Sequence, residues 1–242
     1  MKLRHAAAQV LRRAYKGLFR LMGRDSISLQ KIRPRRDLLH IGTAYGGWVV
    51  PLKLLTPDSI CYCFGCGEDI SFDLGLIDRV GCRVHGFDPT PRAIRHAREH
   101  AAHHDRYHFH EIGIWDTEDV LKFYAPRDPA HVSHSILNLQ GTEEYFEARV
   151  RRLRDIMQEN GHERLDLLKL DIEGAEYKVV ASIIEDRISI RILCIEYDEC
   201  FNPLDRLYKQ RIRQSVRDIL GYGYSLVCAQ GNGNYTFVQK AG

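Results

Sequence analysis

Residues 60–73 read ICYCFGCGEDISFD, and this stretch decides the fold. ICYCF at 60–64 is an uninterrupted apolar and aromatic run, which predicts a buried β-strand. Gly65 and Gly67 follow the run directly, and helical spacing begins at residue 69. Small residues at such a junction let the backbone turn tightly and approach a ligand beside a helix N-terminus. The stretch therefore predicts a strand, a ligand-binding turn and a helix in that order.

Short apolar runs alternate with helical stretches from residue 38 onward. We expect further strands at 83–88, 107–112, 165–171 and 190–196, and helices at 69–79, 91–102, 142–160, 174–185 and roughly 203–220. The runs YSLVCAQ and YTFVQ flank GNGN near the end of the sequence, which is typical of a β-hairpin. Strand–helix alternation predicts an α/β fold with a mostly parallel sheet and helices on both faces.

Composition limits the class of protein. The 242 residues are 44% hydrophobic, which is enough to bury a sizeable core. No run of 18 apolar residues occurs, so no membrane-spanning helix is expected. Seven cysteines, an odd number, lie mostly in apolar runs and favour a reducing compartment. Basic residues interrupt the first apolar segment, so it does not resemble a signal peptide, and we expect a cytoplasmic protein.

The first 36 residues differ in charge from the rest of the sequence. They contain eleven Lys or Arg and one acidic residue, hence +10, whereas the remainder carries −7. Apolar residues at helical spacing over residues 1–24 predict a basic amphipathic helix, and KIRPRRD at 31–37 resembles a linker. We therefore divide the chain into residues 1–36 and a domain at 37–242. The helix either packs on that domain or rests on an anionic membrane surface or substrate.

The C-x-x-C at Cys63 and Cys66 allows three interpretations: a redox dithiol, half of a zinc site, or part of a nucleotide-binding turn. A structural zinc ion needs four ligands, and the sequence has no second C-x-x-C. Asp88 lies twenty-one residues after Gly67, at the end of the second expected strand, where a carboxylate can bind ribose hydroxyls. The turn is therefore interpreted as the binding site of an adenosine-type cofactor.

The residues after the glycines distinguish a dinucleotide from S-adenosylmethionine. The dinucleotide fingerprint requires a third glycine at the position of Ile70. Glu68 and Asp69 place negative charge where a pyrophosphate would lie, at a cost in free energy. The same acids suit a cofactor with a sulfonium and an ammonium group. The residues therefore favour S-adenosylmethionine over NAD.

Four segments together resemble the FkbM-type methyltransferases. They are FGCGEDISFD at 64–73 with GCRVHGFDPTP at 81–91, LLKLDIEGAEYKVV at 167–180, and HVSHSI at 131–136. The resemblance implies a Rossmann-like class I methyltransferase fold, with a seven-stranded sheet and a C-terminal antiparallel hairpin, and O-methylation of a sugar or natural product. The sequence departs from the family pattern at Cys63, where an acid is usual, and at Asp69, where a small residue is usual. The cofactor contacts expected on this basis are Phe64, Gly65, Cys66, Gly67, Glu68, Asp69, Asp88, Pro89, Ile112, Gly113 and Asp171.

Acidic residues end two neighbouring strands of the expected sheet. Asp171 and Glu173 follow the strand at 165–171, and Glu196 and Asp198 follow the strand at 190–196. A hydroxyl acceptor must lose its proton as it attacks, and a positioned base accelerates that step. We expect Asp171, Glu173 and Lys169 in catalysis. Their structural alternatives are a helix cap for Asp171, a helix-dipole position for Glu173 and a partly buried ion pair for Lys169.

Four adjacent carboxylates repel one another unless their charge is neutralised. One solution is a Mg²⁺ ion held by Asp171, Glu196 and Asp198. The other is a raised pKa on one carboxyl, which then serves as the base. We favour the second solution, without a metal.

Two further segments are candidates for the acceptor side. His134 in HVSHSI is a candidate base because imidazole has a suitable pKa. GTAYGGWVVP at 42–51 places Tyr45 and Trp48 beside three glycines, as either a lid over the site or ordinary loop packing.

Three classes of function remain. The favoured one is an S-adenosylmethionine-dependent O-methyltransferase with a small hydroxylated, carbohydrate-containing acceptor. The others are a nicotinamide oxidoreductase and a non-catalytic module that docks to a membrane or polyanion. A nucleic-acid substrate is disfavoured because residues 37–242 carry net negative charge.

Overall fold

The computed structural model describes residues 14–101, 103–230 and 233–240. The strands are β1 (Leu38–Ile41), β2 (Trp48–Pro51), β3 (Ile60–Phe64), β4 (Arg83–Phe87), β5 (Tyr107–His110), β6 (Gly113–Ile114), β7 (Asp119–Tyr124), β8 (Tyr145–Arg151), β9 (Leu165–Leu170), β10 (Ile190–Glu196), β11 (Tyr224–Ala229) and β12 (Asn234–Gln239). The helices are α1 (residues 14–21), α2 (Ser71–Val80), α3 (Pro91–His100), α4 (Leu153–Glu159), α5 (Glu176–Glu185) and α6 (Tyr208–Gly221).

Seven strands form the main sheet in the order β11-β12-β10-β9-β3-β4-β5. The five strands from β10 to β5 are parallel, and β12 pairs antiparallel with β10. The chain builds outward from β3 to β5, returns to β9 beside β3, and then builds in the opposite direction. This reversal is a topological switch point, where open α/β sheets bind ligands. The order confirms the expected class I methyltransferase fold with its C-terminal antiparallel hairpin.

The central strand β3 is buried on both faces. Tyr62 and Phe64 pack into one hydrophobic cluster, and Cys61 and Cys63 pack into the other. Successive side chains of a strand point to opposite faces, so both clusters draw on the same five residues. This double burial explains why ICYCF is apolar throughout and does not alternate with polar residues.

One expected element is wrong in its first half. Residues 142–160 were expected to be helical, but residues 145–151 form β8 and only Leu153–Glu159 form α4. β8 pairs antiparallel with β7 and parallel with β6 in a separate three-stranded sheet. Phe146, Ala148 and Val150 are the more buried residues of β8, whereas their neighbours Glu147 and Arg149 are exposed. The segment therefore has the period of a strand, and pairing with β7 decides its conformation.

The segment at 42–51 separates into two environments. Trp48 begins β2, is 1% exposed and belongs to the core, which agrees with the packing interpretation. Tyr45 lies in the loop that connects β1 to β2, and it is 79% exposed. Trp48 therefore supports the domain, and only Tyr45 of the two aromatic residues remains available to a ligand.

The basic amphipathic helix is described in part. Its residues 1–13 lie outside the described residues, and residues 14–21 are helical. Farther along, Ile27 and Ile32 pack against the larger core cluster. None of the helices in the described ranges is long and apolar enough to span a membrane.

Candidate active site

The carboxyl ends of the central parallel strands open into a cleft of about 970 Å³. This volume lies near the upper end of the range for small-molecule sites, so it can hold a cofactor and an acceptor together. The residues after β3, β4, β9 and β10 line the cleft, as do residues 127–136 from the segment before β8. The candidate site therefore lies at the switch point of the sheet.

Gly65 makes the first turn after β3 possible. Its φ is +77°, and a Cβ at this position would lie 1.7 Å from the carbonyl oxygen of Asp171. Its own carbonyl accepts a hydrogen bond of 2.6 Å from Nζ of Lys169. Only glycine combines this conformation with so close an approach of two backbone segments. The turn thus brings the loop after β3 against the loop after β9.

Asp88 connects the glycine loop to the end of β4. Its Oδ2 accepts a hydrogen bond of 2.9 Å from the Gly67 amide, and its Oδ1 accepts bonds of 2.8 Å from the amide and hydroxyl of Thr90. Burial raises the pKa of this carboxyl. The sequence predicted a ribose contact for Asp88 but not its role in holding the loop. Each carboxylate oxygen has two lone pairs, so Oδ1 is fully used, whereas Oδ2 can accept one further hydrogen bond, such as one from a ribose hydroxyl.

The two acids after the glycines have different partners. Glu68 forms an ion pair of 2.5 Å with Arg92, which also donates to the carbonyls of Pro129 and His131. Asp69 accepts hydrogen bonds from the Ser71 amide and the Thr43 hydroxyl. Burial opposes ionisation of Asp69, but these bonds outweigh it and lower its pKa. Arg92 thus neutralises Glu68, so of these two acids Asp69 is the one without a cationic partner among the described residues.

Lys169 is a buried cation below the cleft. Its Nζ lies 3.1 Å from Oδ2 of Asp171 and its side chain is 7% exposed. Burial lowers its pKa, but Asp171 and Asp73 raise it more, so the net shift is upward. Lys169 therefore stays protonated at neutral pH and cannot act as a general base. Its position matches the ion-pair alternative and makes it a positioning residue for Asp171 and Gly65.

The acidic residues after β9 and β10 meet as expected from their places in the sheet. Carboxylate oxygens of Asp171, Glu173 and Asp198 lie within 4.8 Å of one another. This trio differs from the expected metal-binding set, because Glu173 takes the place of Glu196. Burial and the charge of Asp171 raise the pKa of Glu173 to about 7 and that of Glu196 to about 9. Burial and Glu173 likewise raise the pKa of Asp198. Protons therefore relieve much of the predicted repulsion.

Sequence reasoning missed two polar residues beside this cluster. Oε1 of Glu176 accepts hydrogen bonds from the Gly174 and Ile172 amides, so Glu176, and not Asp171, supports the turn that leads into α5. Asn234 faces Glu196 in the β10–β12 pairing and lines the cleft. Oδ1 of Asn234 and Oδ2 of Asp198 are buried and accept no hydrogen bond from any described residue. The GNGN stretch that contains Asn234 indicated a hairpin but gave no sign that Asn234 would line the cleft.

HVSHSI lies directly against the loop after β9. The Ser135 hydroxyl donates a hydrogen bond of 2.5 Å to the Glu173 carbonyl, and Ser133 and His134 line the same cleft as Glu173. Nδ1 of His134 is 2.9 Å from the Val132 carbonyl, and its ring meets Phe146 edge-on at 5.1 Å. Nδ1 therefore carries the proton, which leaves Nε2 as the basic nitrogen. The two motifs, about 38 residues apart in sequence, form one wall.

The structure brings nearly all of the predicted site residues to one cleft. The lining includes Phe64, Gly65, Cys66, Gly67, Glu68, Asp69, Asp88, Pro89, Gly113, His134, Lys169, Asp171, Glu173, Glu196 and Asp198. Ile112 is the exception, because it does not line the cleft, whereas Ile114, a buried member of the larger core cluster, does. Burial raises the pKa of the Cys66 thiol, which places an uncharged thiol beside the glycine loop. Tyr45 also lines the cleft.

Comparison with known proteins identifies the family. The model of the methyltransferase FkbM domain matches residues 66–226. The probable methyltransferase-like protein 24 of Rattus norvegicus is 30% identical over 172 residues, covering 67% of this chain and 41% of that protein. The 2-O-methyltransferase NoeI of Sinorhizobium fredii is 26% identical over 159 residues, covering 59% of this chain and 65% of that protein. The chain therefore spans less than two thirds of the length of either relative.

Among solved structures, the fibrillarin pre-rRNA processing protein of Methanococcus jannaschii aligns with a TM-score of 0.45 and 10% identity, covering 86% of this chain and 84% of that chain. The fold assignment rests on the strand order rather than on that alignment. The family match extends over more than half of the 242 residues and includes Gly67, Asp88, the HVSHSI segment and the acidic cluster. The chain therefore belongs to the FkbM methyltransferase domain family.

Proposed function

We propose that this chain transfers a methyl group from S-adenosylmethionine to a hydroxyl of a small acceptor, most suitably a carbohydrate or a glycosylated natural product. The observation that carries the proposal is Glu173. Its pKa is raised to about 7, and it lies in the same cleft as Gly65, Gly67 and Asp88. A base with this pKa is half ionised at neutral pH and matches the requirement for proton transfer there.

Three parts of the cofactor, its ribose, its purine ring and its amino-acid portion, each have candidate partners in the cleft. In this proposal Oδ2 of Asp88 accepts a hydrogen bond from a ribose hydroxyl, and Phe87 and Ile114, which line the cleft, contact the purine ring. Asp69 offers negative charge to the amino-acid portion. When bound, S-adenosylmethionine supplies an activated methyl group, while the protein supplies alignment.

The acceptor side of the cleft suits a molecule rich in hydroxyl groups. Glu196, Asp198, Asn202 and Asn234 present several oxygen and amide groups at one wall. Carboxylates and amides bind the hydroxyls of a sugar through directed hydrogen bonds. The name of the NoeI relative, a 2-O-methyltransferase, supports oxygen as the atom methylated.

Glu173 receives the proton in this proposal. As the acceptor oxygen bonds the methyl carbon and the carbon–sulfur bond breaks, leaving S-adenosylhomocysteine, the hydroxyl proton would pass to the Glu173 carboxylate. Asp171 raises the proton affinity of Glu173, and Lys169 holds Asp171 in place. His134 lines the same cleft, and its Nε2 is proposed to bind the acceptor hydroxyl.

The acidic trio also bears on Mg²⁺. Asp171, Glu173 and Asp198 offer three oxygen ligands of the kind that Mg²⁺ prefers. Protonation of Glu196, whose pKa is about 9, and the raised pKa of Asp198 lower the negative charge of the cluster without a cation. We therefore expect turnover to be unchanged after thorough treatment with EDTA. A loss of turnover that added Mg²⁺ restores would contradict the metal-free mechanism.

Cofactor binding and methyl transfer are tested separately. Calorimetry with S-adenosylhomocysteine tests the cofactor site. Transfer of radiolabelled methyl groups to methyl glycosides of glucose, galactose, rhamnose and fucose tests the acceptor class. Absence of S-adenosylhomocysteine binding would end the proposal. Binding without transfer to any glycoside would favour the non-catalytic binding module that the basic segment also allows.

Substitution Glu173→Gln removes the proposed base while preserving its size. We expect kcat/KM to fall about 10²- to 10⁴-fold, the usual contribution of a positioned base, with unchanged affinity for S-adenosylhomocysteine. In the unsubstituted enzyme kcat/KM should rise with pH up to about 7 and then level, because only ionised Glu173 accepts the proton.

The rise should disappear in the Glu173→Gln variant. Glu163→Gln, an exposed position outside the cleft, is the matched control and should leave the pH profile unchanged. A Glu173→Gln enzyme with the original rate and profile would assign the base to another residue, and His134→Ala would be tested next.

A further inference from the structure

Helix α1 has an apolar face that is largely exposed in the described part of the chain. Tyr15, Leu18, Leu21 and Met22 are 46%, 55%, 88% and 49% exposed. Leu18, Leu21 and Met22 lie at spacings of three and four residues, so they share one face of the helix. Single exposed apolar residues are ordinary, but four within eight positions form a patch. In the described residues, this arrangement favours an interaction of the helix with a partner over packing of its apolar side on the domain.

The other face of the helix is basic. Lys16 and Arg20 are one turn apart and lie opposite Leu18 at 3.6 residues per turn. The sequence upstream continues both patterns, with apolar residues at 3, 7, 10, 11 and 14 and basic residues at 12 and 13. A strongly basic face opposite an apolar stripe is typical of helices that lie in a membrane interface.

The turn that follows α1, around residues 25–28, is hydrogen bonded to the rest of the domain. Asp25 is 4% exposed, and its Oδ2 accepts hydrogen bonds of 2.5 Å from the Ser28 amide and 2.8 Å from the Tyr235 hydroxyl. Nε of Arg213 donates a hydrogen bond of 2.9 Å to the Ile27 carbonyl. The turn after α1 is therefore part of the folded domain, and the exposed face projects from a defined place beside β12 and α6.

More basic residues lie beside this turn. Arg24 and Lys31 face each other in an antiparallel bridge, and Lys31, Arg33 and Lys240 line a groove of about 580 Å³ beside the β11–β12 hairpin. The groove also contains Arg35, whose charge is paired with Asp37 at 2.6 Å. Positive charge thus extends from the helix onto the adjoining surface of the domain.

We propose that the α1 face formed by Tyr15, Leu18, Leu21 and Met22 docks this chain onto an anionic lipid bilayer, with the surrounding Lys and Arg residues at the headgroups. The apolar side chains would enter the interface, and the basic ones would remain at the level of the phosphates. The enzyme would thereby act at a membrane surface, which goes beyond the proposed methyl transfer and does not depend on it.

The positive charge around this face distinguishes three possible partners, which are a second copy of the chain, a nucleic acid and an anionic bilayer. Residues 1–36 carry +10, so a second copy docked through the same face would bring two strongly positive segments together. A nucleic acid would engage the basic residues but would leave Leu18 and Leu21 exposed to water. An anionic bilayer satisfies both faces at once, through burial of apolar side chains and attraction to acidic headgroups.

Sedimentation with vesicles tests the proposal on the full chain. We expect binding to vesicles of mixed phosphatidylcholine and phosphatidylserine, and little binding to phosphatidylcholine alone. The double substitution Leu18→Ser/Leu21→Ser should lower vesicle affinity about a hundredfold, because each buried leucine contributes roughly a factor of ten. Arg20→Ser should lower it about fivefold and reduce its dependence on salt.

Leu204→Ser/Leu207→Ser is the matched control, because these leucines are 49% and 51% exposed elsewhere on the surface. It should leave vesicle binding unchanged, and thermal unfolding should show that both double variants fold.

The proposal is overturned if the unsubstituted chain does not bind anionic vesicles, if it binds neutral vesicles equally well, or if Leu18→Ser/Leu21→Ser binds normally. Analytical ultracentrifugation tests whether a second copy of the chain binds to this face instead. A dimer that the same double substitution dissociates would assign the face to a second copy and also overturn the proposal.

Discussion

Gly65 shows how a single residue can join two distant loops. The turn after β3 passes so close to Asp171 that any side chain at position 65 would meet the Asp171 carbonyl. The same closeness lets Lys169 bond both the Gly65 carbonyl and the Asp171 carboxylate. Local backbone geometry, charge placement and the shape of the cleft therefore depend on the absence of one Cβ atom.

Substitution Gly65→Ala should both destabilise the fold and abolish cofactor binding. The added Cβ must displace backbone of the loop after β9, and overpacking of this kind typically costs about 1–3 kcal/mol in addition to the strain of a positive φ. Thermal unfolding and calorimetry with S-adenosylhomocysteine measure the two effects.

Gly161→Ala measures the cost of a side chain at a positive φ without the steric clash that Gly65→Ala also introduces. Gly161 has a φ of +70°, but nothing lies within 4 Å of a Cβ there. Its substitution should cost only about 1 kcal/mol and leave cofactor binding intact. Equal losses at both positions would show that the approach to Asp171 is unimportant.

Glu173 illustrates a second constraint at the same scale. It adopts a φ of +54°, which is uncommon for a residue with a side chain. In this conformation its carbonyl accepts the Ser135 hydrogen bond while its carboxyl lies among Asp171 and Asp198. Backbone strain of this kind is often found at functional sites, and here it accompanies the residue proposed as the base.

Among the secondary-structure elements, β8 is one that the local sequence pattern did not predict. The apolar positions of YFEARVR alternate, but the basic and acidic residues between them also suit an exposed helix, and α4 follows within two residues. Pairing with β7 decides the outcome, and β7 was not expected either. Strand pairing depends on partners about 25 residues away, which periodicity within one segment does not reveal.

The edge strand β5 and its neighbour β4 carry a group of histidines on one face. His85 lies within ring-to-ring distances of 4.9–5.2 Å of His108, His110 and His162, and its Nδ1 is 3.0 Å from Nε2 of His110. Burial and the neighbouring histidines lower the pKa of His85 to about 3. The fold therefore holds His85 in its neutral form.

Acid should destabilise the protein through His85. Because its pKa is lower in the folded state than in the unfolded state, protonation favours unfolding as pH falls below about 6.5. Between pH 7 and pH 5 this one residue should remove about 2 kcal/mol from the free energy of unfolding.

Urea unfolding at the two pH values measures the effect. His85→Gln cannot titrate but can still hydrogen bond to His110, so its stability should depend less on pH by about the same 2 kcal/mol. Exposed His131, which lines the cleft away from this group, provides the control as His131→Gln. An identical pH dependence in all three proteins would exclude His85 as the cause.

At the scale of the whole molecule, the strand order creates the site. β3 and β9 are neighbours although about a hundred residues separate them, and their carboxyl ends bring the glycine loop against the acidic loop. The reversal of winding between them leaves a crevice that neither half of the sheet closes. Function therefore depends on the topology as much as on any single motif.

Ligand-induced stabilisation tests this view of the molecule. S-adenosylhomocysteine at about 100 times its Kd should add about 2.7 kcal/mol of stability and raise Tm by roughly 5–10 °C. NAD at the same concentration should produce no shift. Asp88→Asn should reduce the shift because it weakens both the proposed ribose contact and the support of Gly67. A comparable shift with NAD would contradict the assignment of the cofactor.

The sequence by itself determined the strand, turn and helix around Gly65 and Gly67, most of the parallel sheet and the C-terminal hairpin, because apolar periodicity and glycine positions are local signals. It also indicated that the acids after β9 and β10 would meet, because parallel strands share one edge. Only the tertiary structure decided that Arg92 neutralises Glu68, that HVSHSI bonds Glu173, and that Leu18 and Leu21 remain exposed. These properties depend on burial and on contacts between residues far apart in the chain, and no local pattern encodes either one.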